Sequence, residues 1–400
     1  MQTAIVISAV ATSSTINPAL IPAQYASVMQ VIALAMWLTI IAASLFARPL
    51  QTLSGTDFVL VVSFYAWAIL SVAWSNWSVD SALKGTALAV TTFGAYRLAT
   101  RLPLSNIVAA ITLGLFFLLV LSVLCVIFLP EIGIDQSWMH GGQWQGIFES
   151  KQSLGLVAAY GAFFALYRRM TGSSWTVFII LFAISAGTLI ASGSRGTAAV
   201  MVMSCCALLL CRLSLRFANA LAWLPLVCTC VAFALFMYLY ATGYDHFPLF
   251  GEKIDLTERT FIWQYGIAHV DQRPFFGFGL NGFWTDPGRL QRFKDIHTWV
   301  LDNFHSGYLT ILVECGLIGF VIFLGVALFF AIRIRGLTSS KAVPAPYCAI
   351  VTCFVALSFQ MNMTETLFLR STSFMSVLFV VFLFLSCHSI PERRSKSYNP

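Results

Sequence analysis

Charge is what this chain has least of. Only 10% of its 400 residues are Asp, Glu, Lys or Arg, while 59% are hydrophobic. A soluble chain carries roughly 25% charged residues, and so few could not cover the surface of a soluble protein of this length. A mean hydropathy of +0.83 says the same. The expected class is an all-α polytopic membrane protein, and a soluble globular fold is excluded. A basic domain is also missing. The net charge of +7 comes from short basic clusters between apolar runs, so nucleic acid is not an expected partner. CxxC pairs are absent too. The ten cysteines, such as Cys205, Cys206, Cys228, Cys230 and Cys353, lie in or at the ends of apolar runs. That placement argues against a disulfide framework or zinc site and reads as small packing residues. The N-terminus lacks the basic stretch of a cleavable signal, and Ser13, Ser14, Thr15 and Asn17 interrupt its apolar core. It reads instead as a weak first span.

What is present is a series of apolar runs, each near the roughly 20 residues that cross a bilayer. They fall at 4–22, 26–46, 57–75, 83–99, 105–129, 148–167, 175–192, 196–212, 217–241, 304–331, 345–361 and 371–388. The expected count is twelve spans, or eleven if the first lies in the interface. Arg48, Arg97, Arg101, Arg168, Arg169, Arg212, Arg216, Arg333, Arg335, Lys341, Arg393, Arg394 and Lys396 then all fall on one side. Positive residues flank the cytoplasmic side of such proteins, which predicts both termini inside.

The opposite face carries most of the polar chemistry. It receives 76–82, 130–147, 193–195, 242–303 and 362–370, with His140, His246, His269, His297 and His305. The long loop 242–303 holds Trp263, Trp284, Trp299, Pro274, Pro287 and the glycines Gly277, Gly279 and Gly282. Loops of that length are uncommon unless functional, and its aromatic content predicts short helices lying on the membrane. The expected organisation is N-terminal helices over 1–145, a core over 146–331 and C-terminal helices with a tail over 332–400.

Four segments bring charge to this outer face. Arg195, in Ser192-Gly193-Ser194-Arg195-Gly196, is either a snorkelling side chain beside a tight turn or a phosphate clamp, since guanidinium matches phosphate oxygens two at a time. Arg259 either pairs with Asp255 one helical turn away or serves a ligand, with Thr257 as a helix cap near Glu258. In Asn303-Phe304-His305-Ser306-Gly307-Tyr308-Leu309, Asn303 is a plausible N-cap that puts His305 in a first helical turn, where anions are attracted. His305 is then an interfacial residue, a base or a hydrogen-bond donor. Glu314 lies nine residues on, about 13 Å deeper by helical rise, and its expected partner is Arg195 or Arg259. Lys151, in Gly146-Ile147-Phe148-Glu149-Ser150-Lys151-Gln152-Ser153-Leu154-Gly155, either pairs with Glu149 or adds a third cation to the outer pocket.

At these residues the chain resembles the superfamily of O-antigen ligases and Wzy-type polysaccharide polymerases, over about 140–330. The family pattern is an arginine at a helix end before a large periplasmic loop, a second arginine inside it, and a closing histidine followed by Asn or Ser, a leucine, then an acid and a glycine. Arg195, Arg259, His305-Ser306, Leu309, Glu314 and Gly316 look like those features. The segments around Lys151 and His305 are most similar to the exopolysaccharide polymerases of ExoQ type, although that branch more often shows His-Lys-Asn where this chain has Glu149-Ser150-Lys151-Gln152.

The resemblance implies a GT-C-like glycosyltransferase architecture in the bacterial inner membrane. It implies metal-independent transfer, without cofactor, from an oligosaccharide on undecaprenyl pyrophosphate at the periplasmic face. Arginines would carry the leaving group's growing charge, and the sequence offers no Asp-x-Asp metal motif. By this resemblance Arg195, Arg259 and His305 are the catalytic set. Lys151, Glu314 and Asn303 are added as substrate-binding residues, and apolar grooves hold the polyprenyl tail. His305 either binds pyrophosphate or activates the acceptor hydroxyl, with inverting attack at the anomeric carbon. The acceptor is a growing glycan or, in a ligase, lipid A-core; a flippase and a chain-length regulator are expected partners. A lipid-linked sugar transporter is the rival from another class. Against it, the chain shows no internal repeat, and its polar residues gather at one face.

Overall fold

The computed structural model describes residues 17, 19–20, 26–45, 53–76, 78–137, 141–249, 252–254, 259–297, 301, 303–340, 343–370 and 373–387. Each long apolar run has become a helix: α1 Ala26–Leu45, α2 Gly55–Leu70, α3 Ser78–Arg101, α4 Leu104–Phe128, α5 Lys151–Met170, α6 Trp175–Ala191 and α7 Arg195–Leu213. A short α8 Leu215–Leu221 precedes α9 Leu224–Thr242; α10 Arg259–Ile267 and α11 Pro287–His297 lie in the long loop. The chain ends with α12 Gly307–Ser339, α13 Ala345–Met361 and α14 Phe374–Ser386. Helix starts follow local chemistry: the Ser54, Ser150, Ser174 and Ser306 hydroxyls each accept a first-turn backbone N–H. Five helices among the described residues are long and apolar enough to cross a membrane, and four shorter ones are apolar. Exposed Ile179, Ile190, Val202 and Leu213 suit a hydrocarbon solvent. This is a helical membrane protein.

Several expectations change. The first span, 4–22, lies almost wholly outside the described residues; Asn17, Ala19 and Leu20 form a turn, with Asn17 N–H donating to Ile147 O at 2.9 Å. The run 217–241 is two helices, α8 and α9, with Pro225 at the start of the second, where a missing N–H costs nothing. The all-α expectation is modified by a two-stranded antiparallel hairpin, Phe247–Leu249 with Glu252–Ile254. The long loop does fold into short helices.

The core of the bundle is α12, α13 and α14. Every residue of α14 is buried, with Phe382 stacked on Phe354 at 4.2 Å and Phe379 against Phe368 at 4.3 Å. The ends of the bundle sort as the basic pattern requires. Arg97 bonds Ser44, Arg212 donates to Met170 O at 3.0 Å, and Arg333 pairs with Asp57 at 3.3 Å. Each contact joins two segments expected on the basic side. Arg48, Lys341, Arg393, Arg394 and Lys396 lie outside the described residues. The other end, the loop end, carries the long loop.

One helix is broken. Gly316, at φ 68°, interrupts α12, and segment 274–279 enters the gap. Phe278 and Gly279 N–H groups donate to Val313 O and Glu314 O, at 2.9 Å each; Leu317 and Ile318 donate to Pro274 O and Phe275 O, at 2.8 and 3.2 Å. Trp67 Nε1 donates to Cys315 O at 2.9 Å. Broken helices in membranes occur where the freed backbone lines a cavity or is satisfied by protein. Here the protein satisfies it.

Candidate functional site

The loop end gathers its charge where α10 meets the start of α12. Trp263, fully buried on α10, donates from Nε1 to Phe304 O at 3.1 Å and packs edge-on against Phe236 of α9 at 5.6 Å. This contact brings the first residue of α10, Arg259, beside the corner that contains His305.

That corner differs from the first-turn placement expected from sequence. Ser306, not Asn303, caps α12, and its hydroxyl accepts Leu309 N–H. His305 therefore precedes the helix. It sits in the left-handed region at φ 48°, a conformation that a non-glycine residue holds only when its surroundings enforce it. Asn303 does so, its Oδ1 accepting His305 N–H at 2.8 Å. The Gly307 amide is shared between Asn362 O and Glu365 O, at 2.9 and 3.0 Å. With the Gly307 and Leu309 amides engaged, the helix N-terminus is not the open anion cradle anticipated from sequence.

The partner of Arg259 is Glu365, from the segment between α13 and α14. Arg259 Nη2 bonds Glu365 Oε1 at 3.0 Å, and His305 Nδ1 lies 3.9 Å from Oε2. Burial pushes the Glu365 carboxyl up, but facing His305 and Arg259 more than offset this and hold it below the usual carboxylate range. The other terminal nitrogen of Arg259, Nη1, is buried without a hydrogen-bond partner among the described residues. Asp255, Thr257 and Glu258, offered by the sequence as its companions, lie outside the described residues. Sequence reasoning missed Glu365. Its signal was weak: one acid in an outer segment, with no motif around it.

Glu314 also has a different partner from those expected. Its Oε2 accepts the Asn281 N–H at 3.0 Å, and Lys84 Nζ donates to Asn281 Oδ1 at 3.0 Å. It pairs with neither Arg195 nor Arg259. It remains linked to the His305 corner along one face of α12: Ser306, Thr310 and Glu314 are all buried, and Thr310 Oγ1 meets Thr366 Oγ1 at 3.5 Å.

Arg195 opens α7, with Ser194 as N-cap. Its side chain is exposed, and no hydrogen bond or ion pair joins it to a described residue. Lys151 is close to the same turn. Its Nζ donates to Gln143 Oε1 at 2.6 Å, and the Gln143 side chain packs against Gly193. Helix α7 lies along α13: Val200 and Ser204 line one apolar cleft with Leu357 and Met361. The turn before α7 and the segment after α13 thus emerge at the same end. Of the other loop-end histidines, His246 pairs with Asp245 at 2.9 Å. His269 is pushed down by burial, with Nδ1 on Tyr265 O. His140 and Trp299 lie outside the described residues, as does the His297 side chain.

A family match covers much of this region. Residues 180–324 match the family described as "O-Antigen ligase". Arg195, Arg259, Asn303, His305 and Glu314 fall inside the match, whereas Lys151 and Glu365 fall outside it. An 89-residue stretch is 33% identical to the "Exopolysaccharide production protein ExoQ" of Rhizobium meliloti (strain 1021). It covers 21% of this chain and 20% of that protein, so about a fifth of the relative's length is spanned. The resemblance read from the motifs is borne out: the chain is similar both to the O-antigen ligase family and to ExoQ.

Proposed function

We propose that the protein is a membrane glycosyltransferase that polymerises lipid-linked repeat units of an exopolysaccharide or O-antigen. The donor is an oligosaccharide on undecaprenyl pyrophosphate, and transfer takes place at the periplasmic face of the bacterial inner membrane. The observation that carries this reading is Arg259: a guanidinium fixed by Glu365, with its second terminal nitrogen buried and unpartnered among the described residues, beside His305 at the loop end of an apolar bundle. A half-buried cation with a spare donor favours an anionic ligand, and a lipid pyrophosphate places its anion where the bundle meets water. Arg195, exposed and unpaired among the described residues, and Lys151 extend the positive surface. Glu314, Asn303 and the buried hydroxyls between them give polar contacts for sugar. Cationic side chains carry the leaving group's charge, so the reaction is metal-independent. The twelve-span, GT-C-like plan and the core over 146–331 belong to the same proposal, as do flippase and chain-length partners.

The family match favours a second reading of the same site, an O-antigen ligase that gives the glycan to lipid A-core; the similarity to ExoQ favours polymerisation. The transporter reading gains nothing from the break at Gly316, whose freed backbone groups are met by protein rather than offered to a solute.

The deciding experiment supplies undecaprenyl-pyrophosphate-linked repeat units to the purified full-length protein in liposomes, with EDTA present. Polymerase activity lengthens the lipid-linked glycan, and added lipid A-core receives it if the protein is a ligase. Donor moved across the bilayer at unchanged length under every acceptor would refute both. Transfer that EDTA abolishes and Mg²⁺ restores would refute metal independence.

A further inference from the structure

We infer that Glu365 is the positioning residue of this site: it holds Arg259 by one nitrogen and sets a carboxylate oxygen opposite His305 Nδ1, and thereby commits His305 to act on the acceptor rather than on the pyrophosphate. The inference rests on the glycosyl-transfer reading above and decides a choice that reading leaves open.

The geometry is specific. Glu365 offers its two carboxylate oxygens to different partners, Oε1 to Arg259 Nη2 and Oε2 towards His305 Nδ1. Its backbone carbonyl also accepts the Gly307 N–H, beside the strained His305 corner. One residue thus grips that corner through side chain and main chain together. Asn362 reinforces the grip, its Oδ1 accepting Leu367 N–H at 2.9 Å while its carbonyl shares the Gly307 amide. Among the described residues, the charged groups facing Glu365 are Arg259 and His305.

Two chemical consequences follow. A carboxylate opposite Nδ1 favours the tautomer that carries its proton there, leaving the Nε2 lone pair available. The 3.9 Å separation exceeds a hydrogen bond, and such contacts commonly tighten when substrate binds. His305 Nε2 has no partner among the described residues. In the transfer step, the acceptor oxygen bonds the anomeric carbon and gives its proton to Nε2. The sugar–phosphate C–O bond breaks, and its electron pair leaves on the lipid pyrophosphate. The imidazolium formed is then balanced by Glu365. The second consequence concerns Arg259. With Nη2 already held by an internal anion, the guanidinium plane is fixed, and Nη1 remains for the leaving group.

The test uses full-length Glu365→Gln and Glu365→Asp proteins in liposomes, with melting temperature, donor Kd and kcat measured for each. The Gln variant should lose about 10- to 100-fold in kcat with donor affinity unchanged or tighter, because Arg259 is released from its internal anion. The Asp variant should recover part of the rate. Unchanged kcat in the Gln variant would overturn the inference. So would kcat, affinity and melting temperature falling together in both variants, since that marks a merely structural clip. One measurement needs no Glu365 variant. Imidazole ¹⁵N shifts of the wild-type protein, assigned with His305→Asn, should show the proton on Nδ1, and a proton on Nε2 would overturn the assignment. A wild-type protein that transfers no sugar to any acceptor instead defeats the glycosyl-transfer reading.

Discussion

Arg195, Arg259 and His305 stood out in the sequence because charge is rare in this chain, so each charged residue in an outer segment invites a reason. What the sequence could not supply was pairing. Glu365 lies 106 residues after Arg259, and nothing local to Met363-Thr364-Glu365-Thr366 marks it; only folding brings α13 back to the His305 corner. The same limit misassigned Glu314, whose partner is a backbone amide at Asn281, a residue in the left-handed region. Two predictions belong at this scale. Arg195→Ala and Arg259→Ala should each abolish, or nearly abolish, polymer formation while the protein still accumulates in the membrane. Arg259→Lys should also be poor, because an ammonium cannot hold Glu365 and a phosphate through one rigid fork. Polymer yield in membranes matched for protein level checks both, and wild-type yield from Arg259→Ala removes it from the donor site. The second prediction is a pH dependence. The Glu365 carboxyl is depressed by His305 and Arg259, so its stabilising pair is fully present above the ordinary carboxylate value and is lost as pH falls through the lower folded value. The melting-temperature difference between wild type and Glu365→Gln should therefore be flat from mildly alkaline to mildly acidic pH and shrink only in stronger acid. A difference that shrinks near neutrality would show that Glu365 is not held ionised.

Among elements, the long apolar runs were legible because a bilayer demands length and hydropathy, and neither depends on partners. Every run from 26 onwards contains a helix. The errors are breaks and ends: the start of α12 at Gly307 rather than 304, its continuation to Ser339, the split between α8 and α9, and the interruption at Gly316. Gly316 could not be foreseen, since a glycine inside an apolar run usually remains helical. Here its conformation is imposed by segment 274–279, some 40 residues earlier in the chain. A Cβ on Gly316 would strike Phe275 O, and one on Gly277, also at positive φ, would strike the Glu314 carbonyl. Gly325 and Gly336, on the same α12, have nothing within 4 Å of the place a methyl group would occupy. Gly316→Ala and Gly277→Ala should each destabilise the protein by about 2 kcal/mol or more. Gly325→Ala and Gly336→Ala should be neutral or slightly stabilising. Thermal melts in detergent separate the pairs. Equal melting temperatures for Gly316→Ala and Gly325→Ala would mean that the inserted segment does not hold the break.

For the whole molecule, the question is which end faces which compartment. The partition into two ends was legible from the basic residues, and the contacts agree with it: Arg97 with Ser44, Arg212 with Met170 and Arg333 with Asp57 join segments of one side, while Arg259, His305 and Glu365 meet at the other. Direction comes from a further argument, that basic residues beside short loops are retained in the cytoplasm. Under the proposed glycosyl transfer, a periplasmic loop end would give the site access to acceptor glycan outside the cytoplasm while the lipid tail of the donor stayed within the bilayer. A cytoplasmic loop end would put the proposed donor site on the wrong face. Cysteine labelling resolves it, provided the ten native cysteines are first replaced or shown to be unreactive. Single cysteines at exposed Gln291 and Lys294 on α11 should react with a membrane-impermeant maleimide in intact spheroplasts. A cysteine at Ser339, the end of α12 on the basic side, should react only after the membrane is opened. Labels with the opposite pattern would leave the Arg259–Glu365–His305 geometry unchanged but reverse the orientation, and with it the assignment of periplasmic transfer.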